Sequence, residues 1–177
     1  MAKKTKVFDP TEYFALHDIA LWTTSLQREA EFQPELHEGK TTIQTMRSVK
    51  AEGFTGTLET GEELNFIQAL VTFGIRSVFG QEEGDSEVLH SLEATFAVDY
   101  QIIALPDEKD FQRFLSINCP HQAWPFWRQH VYDTFKRASL PVPLVPLLSS
   151  GQVGKRPRKV SRIVRYPEPV GPTAPAK

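Results

Sequence analysis

Cysteine is almost absent from this chain. A single thiol, Cys119, stands among 177 residues, which rules out an internal disulfide framework and fits a cytosolic compartment. No run reaches the ~18 apolar residues that a membrane span needs. The opening MAKKTKVFDP is basic but has no apolar stretch behind it, so it does not read as a secretory signal. Net charge is also small, with 20 Lys and Arg against 22 Asp and Glu. That balance conceals an asymmetry. Residues 151–177 hold seven Lys/Arg against Glu168 alone, a net of +6, which leaves residues 1–150 with 13 basic and 21 acidic side chains, a net of −8. An acidic body with a basic, proline-rich tail is the pattern to explain.

Hydrophobic residues make up 40% of the chain and aromatics 11%, enough for a folded core. Residues 1–16 read as a leader, 17–150 as the folded domain and 151–177 as a solvated tail. Along the domain, Ile19–Phe32 reads as an imperfectly alternating strand, and Glu35–Val49 as a second, more polar one. Residues 51–63 form a Gly- and Thr-rich hairpin connection. Leu64–Phe79 is apolar on both parities, which predicts a strand covered on both faces or nearly so. Ser86–Ile103 is the cleanest alternation, with Leu92, Ala94, Phe96, Val98 and Tyr100 to one side and Ser91, Glu93, Thr95 and Asp99 to the other. A short helix over Lys109–Ile117 follows, and then a long helix entered through Cys119-Pro120 and ended by Leu140-Pro141, with Pro125 in an early turn or at a kink. Strands first and helices after predict an α+β fold: a four-stranded antiparallel sheet followed by a short and a long C-terminal helix.

No catalytic constellation emerges, and no cofactor or metal is expected. Gly39-Lys40-Thr41 lacks the earlier glycine of a phosphate loop, because Pro34 stands there. Cys119 with His121 and His130 could form a thiol–imidazole pair, but no third orienting residue is evident, and a small buried cysteine is the plainer reading. His17, His37, His90, His121 and Cys119 have no zinc-ligand spacing. Trp124, Phe126 and Trp127 cannot share one direction on a helix, so at least one projects away from its own sheet, either as oligomer packing or as a binding surface.

The C-terminal stretch also carries a resemblance. Cys119-Pro120, Trp124-Pro125-Phe126 with Arg128, then Arg137 and Leu140-Pro141 with its Pro-spaced apolar run resemble the last helix of the SecB chaperone family. Trp124 stands for the family's Phe, and Ala138 for a Gly. The resemblance extends more weakly back to about Ile19. It implies a SecB-like fold, a dimer-of-dimers assembly, and an ATP-independent holdase that binds unfolded segments in hydrophobic grooves. Grip would come from Phe32, Leu36, Trp124, Phe126, Trp127, Leu144 and Leu147, and Trp127→Ala would then weaken client holding with the fold intact.

In the family's export branch the chaperone docks on the SecA ATPase through the sheet, and Glu29 and Glu93 match two of the acidic positions. Ser25 and Ser91 depart from that pattern, and the basic tail replaces an acidic one. Phe96-Ala97-Val98-Asp99-Tyr100, His130-Val131-Tyr132-Asp133 and Leu140-Pro141-Val142-Pro143-Leu144 resemble instead the branch that protects an antitoxin in toxin–antitoxin systems. An antitoxin client is therefore expected, with general export to SecA as the alternative. A reading of another class is a nucleic-acid-binding accessory protein acting through the tail.

Overall fold

A computed structural model describes residues 8–80, 86–145 and 148. Four strands form one antiparallel sheet: β1 (Phe14–Arg28), β2 (Thr41–Thr57), β3 (Glu63–Phe79) and β4 (Glu87–Ile102), in the order β1-β4-β3-β2. β1 and β2 are therefore the edges. The helices α2 (Glu108–Arg113) and α3 (Cys119–Arg137) follow the sheet, joined by a π-helical turn over Phe114–Asn118. The expected α+β architecture is present, with the two helices merged into one run from Glu108 to Arg137.

The π turn has a local cause. Pro120 has no N–H for the carbonyl four residues earlier, and its ring crowds that carbonyl. The ladder widens instead, and Cys119 N–H donates to the Phe114 carbonyl. At the far end the helix stops at Ala138, and Ser139 takes a left-handed conformation at φ 54°. The Leu140 N–H then returns to the Phe135 carbonyl. The stop is thus a left-handed cap two residues ahead of Pro141, where the sequence alone assigns it to Leu140-Pro141.

Strand boundaries shift in instructive ways. Phe14 and Leu16 belong to β1, which ends at Arg28, where the alternation predicts Ile19–Phe32. Its pairing with β4 slips between Leu16 and Asp18 and again between Leu21 and Thr23, so two bulges scramble the period of two. Residues 34–37 form a one-turn helix, α1, rather than the start of a strand. β2 extends to Thr57, and the turn between β2 and β3 is only residues 58–62.

The core lies between one sheet face and the helices. Ile67, Ala69, Val71, Phe73 and Ile75 of β3 oppose Tyr100, Val98, Phe96, Ala94 and Leu92 of β4 on that face, all buried. From α3, the residues at steps of four, Cys119, Ala123, Trp127, Val131 and Phe135, form one buried ridge over it. The opposite face carries Phe66, Gln68, Leu70, Thr72 and Arg76 of β3 beside Ser91, Glu93, Thr95 and Asp99 of β4. β3 is thus sealed on one face only, since Phe66 and Leu70 remain half-buried.

Trp127 is 1% exposed and stacks on Phe73 with ring centroids 5.6 Å apart. It offers no surface to another chain, and the expectation that it grips a client is corrected: it is a central packing residue. Trp127→Ala is expected to cost about 3–5 kcal/mol of unfolding free energy, measured by chemical denaturation. Ser139→Gly should act in the opposite direction, stabilising by a few tenths to about 1 kcal/mol through relief of the left-handed backbone.

Candidate functional site

The connection from β1 to β2 has to cross the whole end of the sheet, because its strands lie at opposite edges. It does so in steps. The N–H groups of Glu29 and Ala30 donate to the Leu89 carbonyl of β4. Phe32 then meets the His90 ring of β4, and the His37 ring of α1 packs edge-on against Phe79 of β3 at 4.8 Å. Thr41, the partner of Phe79, opens β2. His90 closes this cluster from below: its Nε2 lies 2.8 Å from Ser77 Oγ, and the Phe135 ring stands edge-on to it.

Helix α3 crosses the sheet obliquely. Trp124 and Trp127 sit on Phe73 of β3. Further along, His130 Nε2 is 2.8 Å from Thr24 Oγ1 of β1. Phe135 reaches His90 of β4, and Arg28 of β1 donates to the Ala138 carbonyl at the helix end. The helix therefore drifts away from β2 toward β1. The helix-facing side of β2 near its Thr41 end is left open as a ledge. Register places Ile43, Arg47 and Val49 on that side, opposite Ser77, Phe73 and Val71. Ile43 is 38% exposed, and Leu36 of α1, at the same end of the sheet, is 44% exposed. Trp124, half-buried, borders the ledge from the helix.

The predicted grip residues divide on this geometry. Trp124 stands on Phe73, the strand neighbour of Arg47, and Leu36 is exposed in α1 at the same end of the sheet as the ledge. Phe32 is half-buried in the cluster that anchors the crossover. Phe126 is the aromatic that projects away from the sheet, 48% exposed and about 100° around the helix from Trp127. Leu144, in the extended segment after the helix, is 88% exposed, and Leu147 lies outside the described residues. The sequence reading missed Ile43 and Arg47 as site residues. The signal was faint: both share the parity of Val49 in a strand that otherwise reads as polar.

Glu29 and Glu93 are exposed but differently placed. Glu29 stands one residue beyond β1. Glu93 sits mid-strand between Ser25 and Gly74 on the outer face. It helps line an open depression of about 560 Å³ with Ser25, Gln27, Met46, Arg76 and Ser91. A Cβ at Gly74 would come within 2.6 Å of Met46 Cγ, so a larger residue there would displace the Met46 side chain.

The nucleophile reading does not survive the packing. Cys119 is fully buried beside Tyr100, and burial pushes its thiol up to about 12, the reverse of an activated thiolate. His121, its expected partner, is exposed. Among the described residues no group of three or more His, Cys, Asp or Glu could hold a metal ion. Gly39 of the Gly-Lys-Thr triplet has φ 72° and serves the turn from α1 into β2. No helix among the described residues is long and apolar enough to cross a membrane. The basic tail, residues 151–177, lies outside the described residues.

No protein-family model matches the chain, and no curated protein matches it. Among solved structures it is similar to the Mycobacterium tuberculosis SecB-like chaperone Rv1957, determined in complex with a ChAD peptide from the Rv1956 HigA1 antitoxin. The two are 16% identical, with 78% of this chain and 93% of that chain covered, at a TM-score of 0.48.

His90 gives the crossover cluster a pH dependence. Burial lowers its pKa below the ordinary 6.5, and the Arg28 charge lowers it further. The unfolded chain then binds more protons than the folded one once the pH drops below about 6.5, so stability present above that value is lost as pH falls toward the folded pKa. His130 is also lowered, by burial first and by Arg137, with Asp133 opposing. The thermal midpoint is expected to fall between about pH 7 and pH 5, and His90→Gln should flatten that slope.

Proposed function

We propose that this protein is an ATP-independent, SecB-like holdase chaperone, and that its client is the antitoxin of a toxin–antitoxin system. The observation that carries the reading is the ledge along β2. Ile43 is exposed on the helix-facing side of β2, Leu36 is exposed at the same end of the sheet, and no described strand pairs with the outer edge of β2. An extended segment of another chain can lie there and remove apolar side chains from water, at about 25 cal/mol per Å² of buried area. Leu144 and the prolines around it extend the same chemistry past the helix. Grip of this kind uses shape and hydrophobicity, so it needs no nucleotide and no catalytic group.

The sequence resemblance around residues 118–148 supports the chaperone class, and the stretches 96–100, 130–133 and 140–144 support the antitoxin client. A cytoplasmic homotetramer, a dimer of dimers, is part of the same proposal. Docking on SecA would use Glu29, Glu93 and the outer depression. Serines at positions 25 and 91, where the export branch places an acidic residue and a leucine, weaken that alternative.

Paired substitution Leu36→Ser with Ile43→Ser tests the ledge. Both side chains are exposed, so the fold should change by less than about 1 kcal/mol. Suppression of aggregation of a chemically denatured client should nevertheless fall several-fold. Undiminished suppression by a correctly folded double variant would place client binding elsewhere. Affinity purification from the native host should yield one dominant small partner. A broad set of signal-bearing precursors together with SecA would show export instead.

A further inference from the structure

Arg47 is the feature of the ledge that hydrophobic grip does not account for. It sits in the middle of the helix-facing side of β2, paired with Phe73, four residues from Ile43 and two from Val49. It is half-buried, and burial lowers its pKa. No hydrogen bond or ion pair to Arg47 is present among the described residues, in contrast to Arg76 on the opposite face, whose Nε donates to Gln44 Oε1 at 2.8 Å. Arg28 likewise has a carbonyl partner at the end of the helix. A guanidinium stays protonated in any such setting and carries five donors. Partly withdrawn from water and without a partner among the described residues, it costs free energy that an arriving carboxylate would offset.

We propose that the segment held on this ledge carries an Asp or Glu among its apolar residues, and that Arg47 pairs with that carboxylate. The inference rests on the chaperone reading above and narrows the client class it takes. Spacing along the strand supports it. Side chains on one strand face repeat at about 6.6 Å. An extended client in step with β2 therefore presents apolar residues to Val49 and Ile43 two and four positions from the acid. Arg47 also argues against the protein's own tail as the occupant, since residues 151–177 contain one acidic residue, Glu168, against seven basic ones. A half-buried pair is screened by salt less than a surface pair, so the preference for the acid should persist at physiological ionic strength.

The test is a fluorescence anisotropy titration of the full chain with two labelled peptides. One is an extended sequence rich in Leu, Phe and Pro with a single central Glu, and the other has Gln in its place. Wild type should bind the Glu peptide about tenfold more tightly. Arg47→Met keeps the aliphatic stem and should abolish that preference, leaving affinity for the Gln peptide within about twofold. Arg47→Glu should favour the same peptide with Lys at the centre. Equal binding of the Glu and Gln peptides by wild type overturns the pairing and leaves the chaperone reading standing. Measurable binding of neither peptide overturns both. If Arg47→Met fails to fold, the wild-type comparison of the two peptides still decides the question.

Discussion

Everything in this molecule depends on the contact between Trp127 and Phe73. Phe73 lies near the middle of β3, an interior strand, and it carries both Trp127 and Trp124 from the helix. Above and below that stack, the ridge from Cys119 to Phe135 repeats every four residues and meets β3 and β4. Such a ridge is straight, whereas the sheet beneath it is twisted. One helix can therefore cover only a diagonal of the sheet face. Covering β4 and β1 at its C-terminal end means uncovering β2 there, so the ledge is a geometric consequence of fastening a single helix to a four-stranded sheet.

The same geometry explains why the crossover between β1 and β2 matters. It touches every strand at that end, through Leu89, His90, Phe79 and Thr41 in turn. Phe32 and His37 hold α1 in place, and α1 supplies Leu36. Leu36 and the histidine cluster are thereby joined: protonating His90 would loosen the support on which Leu36 stands.

Much of the architecture was legible in the sequence because it follows from periodicity. β4 alternates cleanly, the strands precede the helices, and the prolines bracket the helical run. β1 was less legible because two bulges each insert a residue, and a period of two cannot survive that. α1 was hidden because a single turn gives no periodic signal. The burial of Trp127 and the exposure of Phe126 were foreseeable only as an alternative, since spacing requires that one aromatic turn outward without saying which. Arg47 was invisible for a different reason. In one dimension an arginine in a polar strand reads as solvated, and only the register with Phe73 puts it on the helix-facing side of the sheet.

The lone thiol has a use that its chemistry would not suggest. Cys119 lies at the foot of the ridge, sealed between the helix and Tyr100. A reagent that attacks only thiolates cannot reach it until helix and sheet separate. With no second cysteine to compete, the rate at which the chain takes up one label per molecule becomes a clock for the opening of its core, readable in a mixture with cysteine-free proteins and without any engineered probe.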